Sequence, residues 1–554
     1  MKKILSALLL CSALCGCEDF LDSENLTKKD TSNYPETTSD ADQLLTGVYS
    51  IIGRVEPLCS PYFVSELMSD DCFGGGDQND LSCKAIDQFK KSSNDMFRNG
   101  WRAHYFGVFR SNFLISELDN IQWDSEEDRA SIEGQVRYLR AHFYFEMSKL
   151  WGEVPLVTTP DAVNIPKTPA AETYALIASD LKKAIELLPS QRIQEMPTSD
   201  LGRVTKWAAE ALMARVFLFY TGYYQKESLP LTEGGEVTRQ DVINWIVDCI
   251  ENSGHDLVPD FRNLWPYSYV QDYKYTADNG LSWAGDGNIE TVFAVKYSTL
   301  GNWDSTSQKC NQYCLYYGLR GQSNYVYTFP FGQGWGMGTV NPKLWEDWDD
   351  NDIRKKASIL DCTDRSEFRL YVKGGGNLMD ETYYMNKKMT PINVYTDATK
   401  SNVVNYSNEL YGMTETNFQL NNTQDCVTMR FADVLLMAAE LGAPNAQAYL
   451  DRVRSRVNLP SVPATLENIK KERRFELAFE GVRYYDLLRW HDWDVITENQ
   501  TNIQVYNRKV PQKKTVTFRP ETGGFVQIPE TEIELSQGVL TQNPGWEGSD
   551  NYYE

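Results

Sequence analysis

Glu472-Arg473-Arg474-Phe475-Glu476-Leu477-Ala478-Phe479-Glu480-Gly481-Val482-Arg483-Tyr484-Tyr485-Asp486-Leu487-Leu488-Arg489-Trp490 is the stretch that decides the fold. Phe475, Ala478, Phe479, Val482 and Tyr485 recur at steps of three and four, which aligns them on one face of a helix. The spacing predicts one helix over residues 465–490, with Phe475, Phe479 and Tyr485 in the core. Charges of both signs stand between these positions. Glu480 and Arg483, like Asp486 and Arg489, lie three apart, as neighbours on the polar side of a helix do. Arg473, Arg474, Glu476 and Glu480 are expected to form buried or half-buried pairs, since breaking such a pair leaves an uncompensated charge. These charges read as framework rather than as catalytic groups.

Outward from this stretch, the same period predicts helices over 430–441 and 446–457. Others are expected over 101–118, 125–151, 172–188, 204–220 and 241–250. In the first of these, Trp101, Tyr105, Val108, Phe109, Phe113 and Leu114 fall near one face. Ala208, Ala211 and Ala214 are small residues that let another helix approach closely. Helix pairs joined by short turns, recurring about four times, are the signature of tetratricopeptide-like stacking into a curved scaffold that presents loops, but the period here is imperfect and spacing alone does not assign it. Between about 260 and 425 the character changes. Gly, Asn, Asp, Tyr and Trp dominate, helical periodicity is absent, and short β-like runs such as 290–295 appear.

The N-terminus opens with Lys2 and Lys3, an apolar run from Ile4 to Leu14, and small residues before Cys17, which together form an export signal. Leu14-Cys15-Gly16-Cys17 resembles the lipobox of bacterial lipoproteins, in which the cysteine becomes the acylated N-terminus. The plain alternative is a secretory signal cut near the same point. Either one places the mature chain outside the cytosol. No later stretch has 18 uninterrupted apolar residues. The net charge is −23, and −25 once the two signal lysines are removed. So acidic a chain disfavours nucleic acid and docking on anionic headgroups.

Eleven cysteines are present. Eight follow Cys17, an even number that permits disulfides in an oxidising compartment, and their spacing is not that of zinc ligands. The 14 Trp and 32 Tyr exceed what a core needs. In the loop-rich zone Trp283, Trp303 and Trp335 each have glycine adjacent or close by, so that a loop can turn and present the ring. Tyr316, Tyr317, Tyr325 and Tyr327 add rings beside Asn311, Gln312, Gln322 and Asn324. Aromatic rings under the C–H face of a sugar, with amides and carboxylates at its rim, are what an oligosaccharide needs. The bland alternative for each ring is packing on the scaffold. Glu346, Asp347, Asp349, Asp350 and Asp352 lack the ordered spacing of a calcium loop and read as a solvated acidic face. The four histidines (104, 142, 255 and 491) are scattered, with no Ser/His/Asp arrangement. Neither a metal nor a cofactor is expected.

Several segments together resemble the SusD/RagB family of Bacteroidetes outer-membrane lipoproteins. They are Cys17-Glu18-Asp19-Phe20-Leu21-Asp22; Arg137 to Phe145 with Trp151-Gly152; Gly202-Arg203-Val204-Thr205; Glu472 to Trp490; and Gln542-Asn543-Pro544-Gly545-Trp546. The resemblance implies a mainly α fold of four tetratricopeptide-like helix pairs with a loop-rich variable region carrying short β elements. It implies no catalysis. It divides the chain into a signal (1–16), a lipidated tether (17–40), an N-terminal helical region (41–260), a variable ligand-binding region (261–425) and a C-terminal helical region (426–554). It implies capture of oligosaccharides at the cell surface and delivery to a SusC-like TonB-dependent transporter, with Cys17 lipidated in the outer membrane. Acidic residues at the position of Asp71 often reach the ligand in this family, so the expected binding residues are Asp71, Trp283, Trp303, Tyr317 and Trp335. Trp335, before Pro342, also fits a structural turn. The alternatives are a surface glycoside hydrolase, which needs two carboxylates about 5–9.5 Å apart, and a peptide-capturing lipoprotein of the same fold.

Overall fold

The computed structural model describes residues 34–91, 95–300, 310–322, 324–547 and 553. The signal, Cys17 and Trp303 lie outside the described residues. The long helices of the first half, among the described residues, form its stack. They are α1 (Thr38–Ile52), α2 (Arg98–Glu117), α3 (Glu126–Trp151), α4 (Ala170–Leu187), α5 (Lys206–Tyr223) and α6 (Arg239–Asn252). Their starts are set by short polar side chains. Thr37 and Thr238 form capping boxes with Asp40 and Asp241, and Ser125 and Thr205 accept from backbone N–H groups of the first turn. Each helix packs on the next in the chain from α2 to α6, and α1 packs on α2, so that apolar stripes are buried pairwise.

Five more helices matter to the site. They are α7 (Tyr406–Tyr411), α8 (Phe431–Leu441), α9 (Ala446–Arg456), α10 (Leu466–Glu476) and α11 (Arg483–Trp490). α8 packs on α6, α9 and α10, and α11 packs on α5, which joins the C-terminal helices to the first half. Gly222 makes that second contact possible, because a Cβ there would come within 2.5 Å of the Arg489 carbonyl. The mainly α class expected from the periodicity holds.

Two expectations are corrected. The helix over 465–490 is broken between α10 and α11. Phe479 and Gly481 take left-handed backbone (φ +67° and +75°). The Gly481 N–H donates to Glu66 Oε1 (2.8 Å) and the Tyr484 N–H to Ser65 Oγ (3.1 Å). The break turns Glu480 inward, so it pairs with Lys388 and Arg430 instead of Arg483, while Arg483 binds Asp70 (2.8 Å). Asp486 and Arg489 do pair within α11 (2.8 Å). Phe109, expected near the inward face of α2, is 49% exposed beside Phe106. Gly107 sets that rotation by lying against the Phe143 ring, where a Cβ would come within 2.4 Å.

The loop-rich half forms a second core around Phe261, Tyr267, Phe331, Leu360, Ile392 and Tyr406. Its strands are short and two-stranded among the described residues. β1 (Cys72–Gly75) pairs with β3 (Met337–Val340), β2 (Thr291–Val295) with β6 (Cys426–Arg430), and β4 (Asn393–Tyr395) with β5 (Val403–Asn405). The β2–β6 ladder sets Val295 opposite Cys426. It therefore clamps both ends of the loop-rich segment at one place on the scaffold. The eight cysteines after Cys17 are free and buried, with no disulfide among the described residues.

Candidate functional site

Just before β2 the chain makes a tight loop, Ser282 to Asn288, in which Gly285 and Gly287 take positive φ (+86° and +66°). The turn carries Trp283 and Asp286 on one short segment. Trp283 is half-buried, and T-shaped contacts brace it against Tyr406 (5.6 Å) and Tyr269 (6.2 Å). Asp286 Oδ1 accepts from the Asp425 N–H (3.1 Å) and Oδ2 from the Tyr411 hydroxyl (3.2 Å). Asp425 in turn binds Lys296 (2.6 Å). Burial pushes the Asp286 carboxyl up to about 7, and the neighbouring Asp425 adds to the rise. Burial also raises Asp425, against the pull of Lys296. Two carboxyls this close release their protons in two successive steps that belong to the pair rather than to either residue.

The same β5–α7 segment that supports Trp283 borders a cavity of about 220 Å³. Tyr406 packs on Trp283, while Asn405 and Asn408 line the cavity wall. Asn393 faces Asn405 directly across the β4–β5 ladder. Gln333, Asn421 and the rings of Tyr325 and Phe418 complete most of the lining. Asn405 starts α7 by accepting the Ser407 N–H (2.9 Å), and its amide donates to Asn422 (3.0 Å). Asn408 donates to the carbonyls of Met413 (3.0 Å) and Glu415 (2.6 Å), which shapes the next loop.

The expected binding residues are dispersed. Asp71 is fully buried and bound to Arg474 (2.9 Å), so it belongs to the framework and not to a ligand surface. It follows Asp70, which holds Arg483 and Arg474, and the pair welds the segment before β1 to α10 and α11. Tyr317 is 1% exposed, T-shaped on Phe63 (5.0 Å), and lies where a Cβ on Gly338 would come within 2.6 Å of its ring. It is a core residue. Trp335 is half-buried on Tyr316 (4.9 Å), and its carbonyl accepts from Arg320 (3.1 Å). It shares no aromatic partner with Trp283. Asn311 and Gln322 are occupied by backbone contacts. The acidic run from Glu346 serves local pairs, with Asp352 buried on Arg354 (2.8 Å), and no metal-binding group occurs among the described residues. The amides of Asn393, Asn405, Asn408 and Asn421 went unread in the sequence. The one signal for the last three was the density of Asn between 402 and 422.

Comparison with known proteins agrees with this architecture. A model of the SusD family matches residues 265–546, and a model described as starch-binding, associating with the outer membrane, matches residues 19–218. A SusD-like protein of Formosa agariphila, P2, is 26% identical over 99% of this chain and 100% of its own. A solved laminarin-binding SusD-like protein superposes with a TM-score of 0.71 at 25% identity, covering 92% of this chain and 100% of that one. Surface glycan-binding protein A of Bacteroides thetaiotaomicron, solved with laminarihexaose, has a TM-score of 0.68 at 22% identity over 92% of this chain and 99% of that one, a likeness of fold. The helical stack, the loop-rich portion set on it and the two matching models together make this chain a member of the SusD family.

Proposed function

We propose that this chain is a non-catalytic, surface-exposed glycan-binding lipoprotein. It takes oligosaccharides on the Trp283 side of its loop-rich portion and passes them to a SusC-like TonB-dependent transporter. Acyl chains on Cys17 tie it to the outer membrane, and residues 17–40 give the tether on which it moves as a lid. The observation that carries this is Trp283, an indole braced by two tyrosines in a glycine-turned loop yet left half-exposed beside a carboxyl and a phenol. Such a ring offers a flat apolar face to sugar C–H groups, with polar groups at its rim. Further support comes from the likeness to a laminarin-binding SusD-like protein over that protein's whole length. Trp303 and Trp335 are the further rings proposed for this surface.

The Asp286–Asp425 pair is the one arrangement that favours the hydrolase alternative, since glycoside hydrolysis uses paired carboxyls. Asp425, however, is 5% exposed and held by Lys296, which leaves it little access to substrate. The test is titration of the full-length protein with neutral oligosaccharides, laminarihexaose among them. Replacing both Trp283 and Trp303 by Ala is expected to weaken binding at least about tenfold, or about 1.4 kcal/mol, with the fold retained by circular dichroism, while Trp283→Phe keeps most of the affinity. Unchanged binding by the double variant rejects these rings. Steady release of reducing ends, lost in Asp286→Asn, would overturn the non-catalytic assignment.

A further inference from the structure

The cavity bordered by β4, β5 and α7 carries three amides with unused hydrogen-bonding capacity. Asn421 is 4% exposed, and its Oδ1 has no partner among the described residues. Its Nδ2 donates to Asn408 (3.3 Å), which fixes the amide with the oxygen left over. Asn393 is 8% exposed, and its side-chain amide makes no hydrogen bond among the described residues, while its backbone N–H donates to the Pro330 carbonyl (2.7 Å). Gln333 likewise leaves its side-chain amide unused. Buried amides are nearly always paired, and an unmade bond costs about 1–3 kcal/mol. One such buried oxygen, with the amides of Asn393 and Gln333 on the same wall of a space of about 220 Å³, marks a wall prepared for a polar guest. A single water needs only about 10–15 Å³, so the guest is much larger than one water.

The chemistry of the wall narrows the guest. No Asp, Glu, Lys or Arg lines the cavity. A carboxylate or sulfate placed there would be a buried, unpaired charge, which is heavily disfavoured. The chain's net charge of −23 opposes a polyanion before it arrives. Amides both donate and accept, as sugar hydroxyls do, while Tyr325 and Phe418 supply rings for a C–H face. We infer that this cavity is a second subsite that accepts one uncharged sugar unit, a chain end or branch, of a neutral glycan whose main contacts lie on the Trp283 side. The assignment rests on the glycan-capture reading and adds to it a site and a charge class.

The test uses the full-length protein and two substitutions. Thr416 lines the cavity and is exposed, so Thr416→Trp narrows the entrance without disturbing the core. Asn421→Leu removes the unpartnered oxygen, and with it the donor to Asn408, while keeping the branched heavy-atom shape. Both are titrated against laminarin, starch, mannan and xylan, and against the uronate polymers alginate and polygalacturonate. At least one neutral glycan is expected to bind, neither uronate is, and each variant is expected to lose at least about tenfold in affinity. Neutral binding that both variants leave unchanged overturns the cavity assignment and leaves glycan capture standing. Uronate binding that Thr416→Trp abolishes overturns the neutral class. Failure of the unaltered protein to bind any of the six overturns glycan capture and the cavity assignment together.

Discussion

Glu476→Gln is the sharpest probe of how the two halves of this protein hold together. Glu476 is fully buried and accepts from Arg354 (2.9 Å), Arg430 (3.0 Å) and Arg456. The surrounding network balances five carboxylates (Glu290, Asp352, Glu472, Glu476 and Glu480) against five cations (Arg354, Lys388, Arg430, Arg454 and Arg456). It joins α10 to β6, to α9 and to the loop-rich half through Arg354 and Lys388. Burial alone would raise the Glu476 carboxyl. The charges of Arg456, Arg430 and Arg354 outweigh it and hold the group well below the usual carboxylate range. Glutamine keeps the shape but removes one negative charge and turns an N–H₂ toward a guanidinium. The remaining cluster carries a net positive charge in the interior. Removing one partner of a buried pair costs about 3–5 kcal/mol, a large share of the about 5–15 kcal/mol that stabilises a typical protein. The assay is equilibrium urea unfolding at neutral pH, with hydrogen exchange to locate the loosening. Protection should fall first along β6 and residues 353–390. Because the folded-state pKa is depressed, the stabilising contribution of Glu476 is complete above the ordinary carboxylate range and is lost progressively as pH falls from that range down through the depressed folded-state value. The gap between wild type and variant should therefore be full at neutral pH and close in acid. Adding Arg456→Met should cost less than the sum of the two single changes. A Glu476→Gln loss within about 0.5 kcal/mol, the scale of a surface change, would refute the account.

Asp71→Ala should lower stability by about 1–3 kcal/mol by removing one of the carboxylates on Arg474, which keeps Asp70, with glycan affinity of the folded protein unchanged; lost affinity at full stability would return Asp71 to the ligand. Asp286 is expected to make stability fall as pH rises from about 4 to about 7, because its folded carboxyl, pushed up to about 7, holds its proton more tightly than the unfolded one. Asp286→Asn should fall less steeply over that range, and equal slopes of melting temperature against pH in both proteins would count against the raised carboxyl.

The helices were legible because periodicity is local. The observed bounds of α3 (Glu126–Trp151) and α8 (Phe431–Leu441) fall within a residue of those expected. The break at Phe479 and Gly481 was not legible, since the apolar period runs on through it. What breaks the helix is Glu66, more than 400 residues earlier in the chain, which takes the Gly481 N–H. At the site, Trp283 in its glycine-turned loop was readable from neighbouring residues. The cavity was not, because its wall is assembled from Gln333, Asn393, Asn405 and Asn421, which no short motif contains.

By itself, the sequence determined the helical scaffold, the acidic character and the family. Each of these rests on residues near one another in the chain. Tertiary structure alone decided which charged and aromatic residues face inward. Asp71 and Tyr317 look like binding residues in a string of letters, yet long-range packing closes Arg474 over one and Phe63 over the other. The same packing leaves the Asn421 oxygen without a partner, beside the amides of Asn393 and Gln333 on one cavity wall. Burial and pairing depend on which distant segments meet, and composition and spacing carry no record of that.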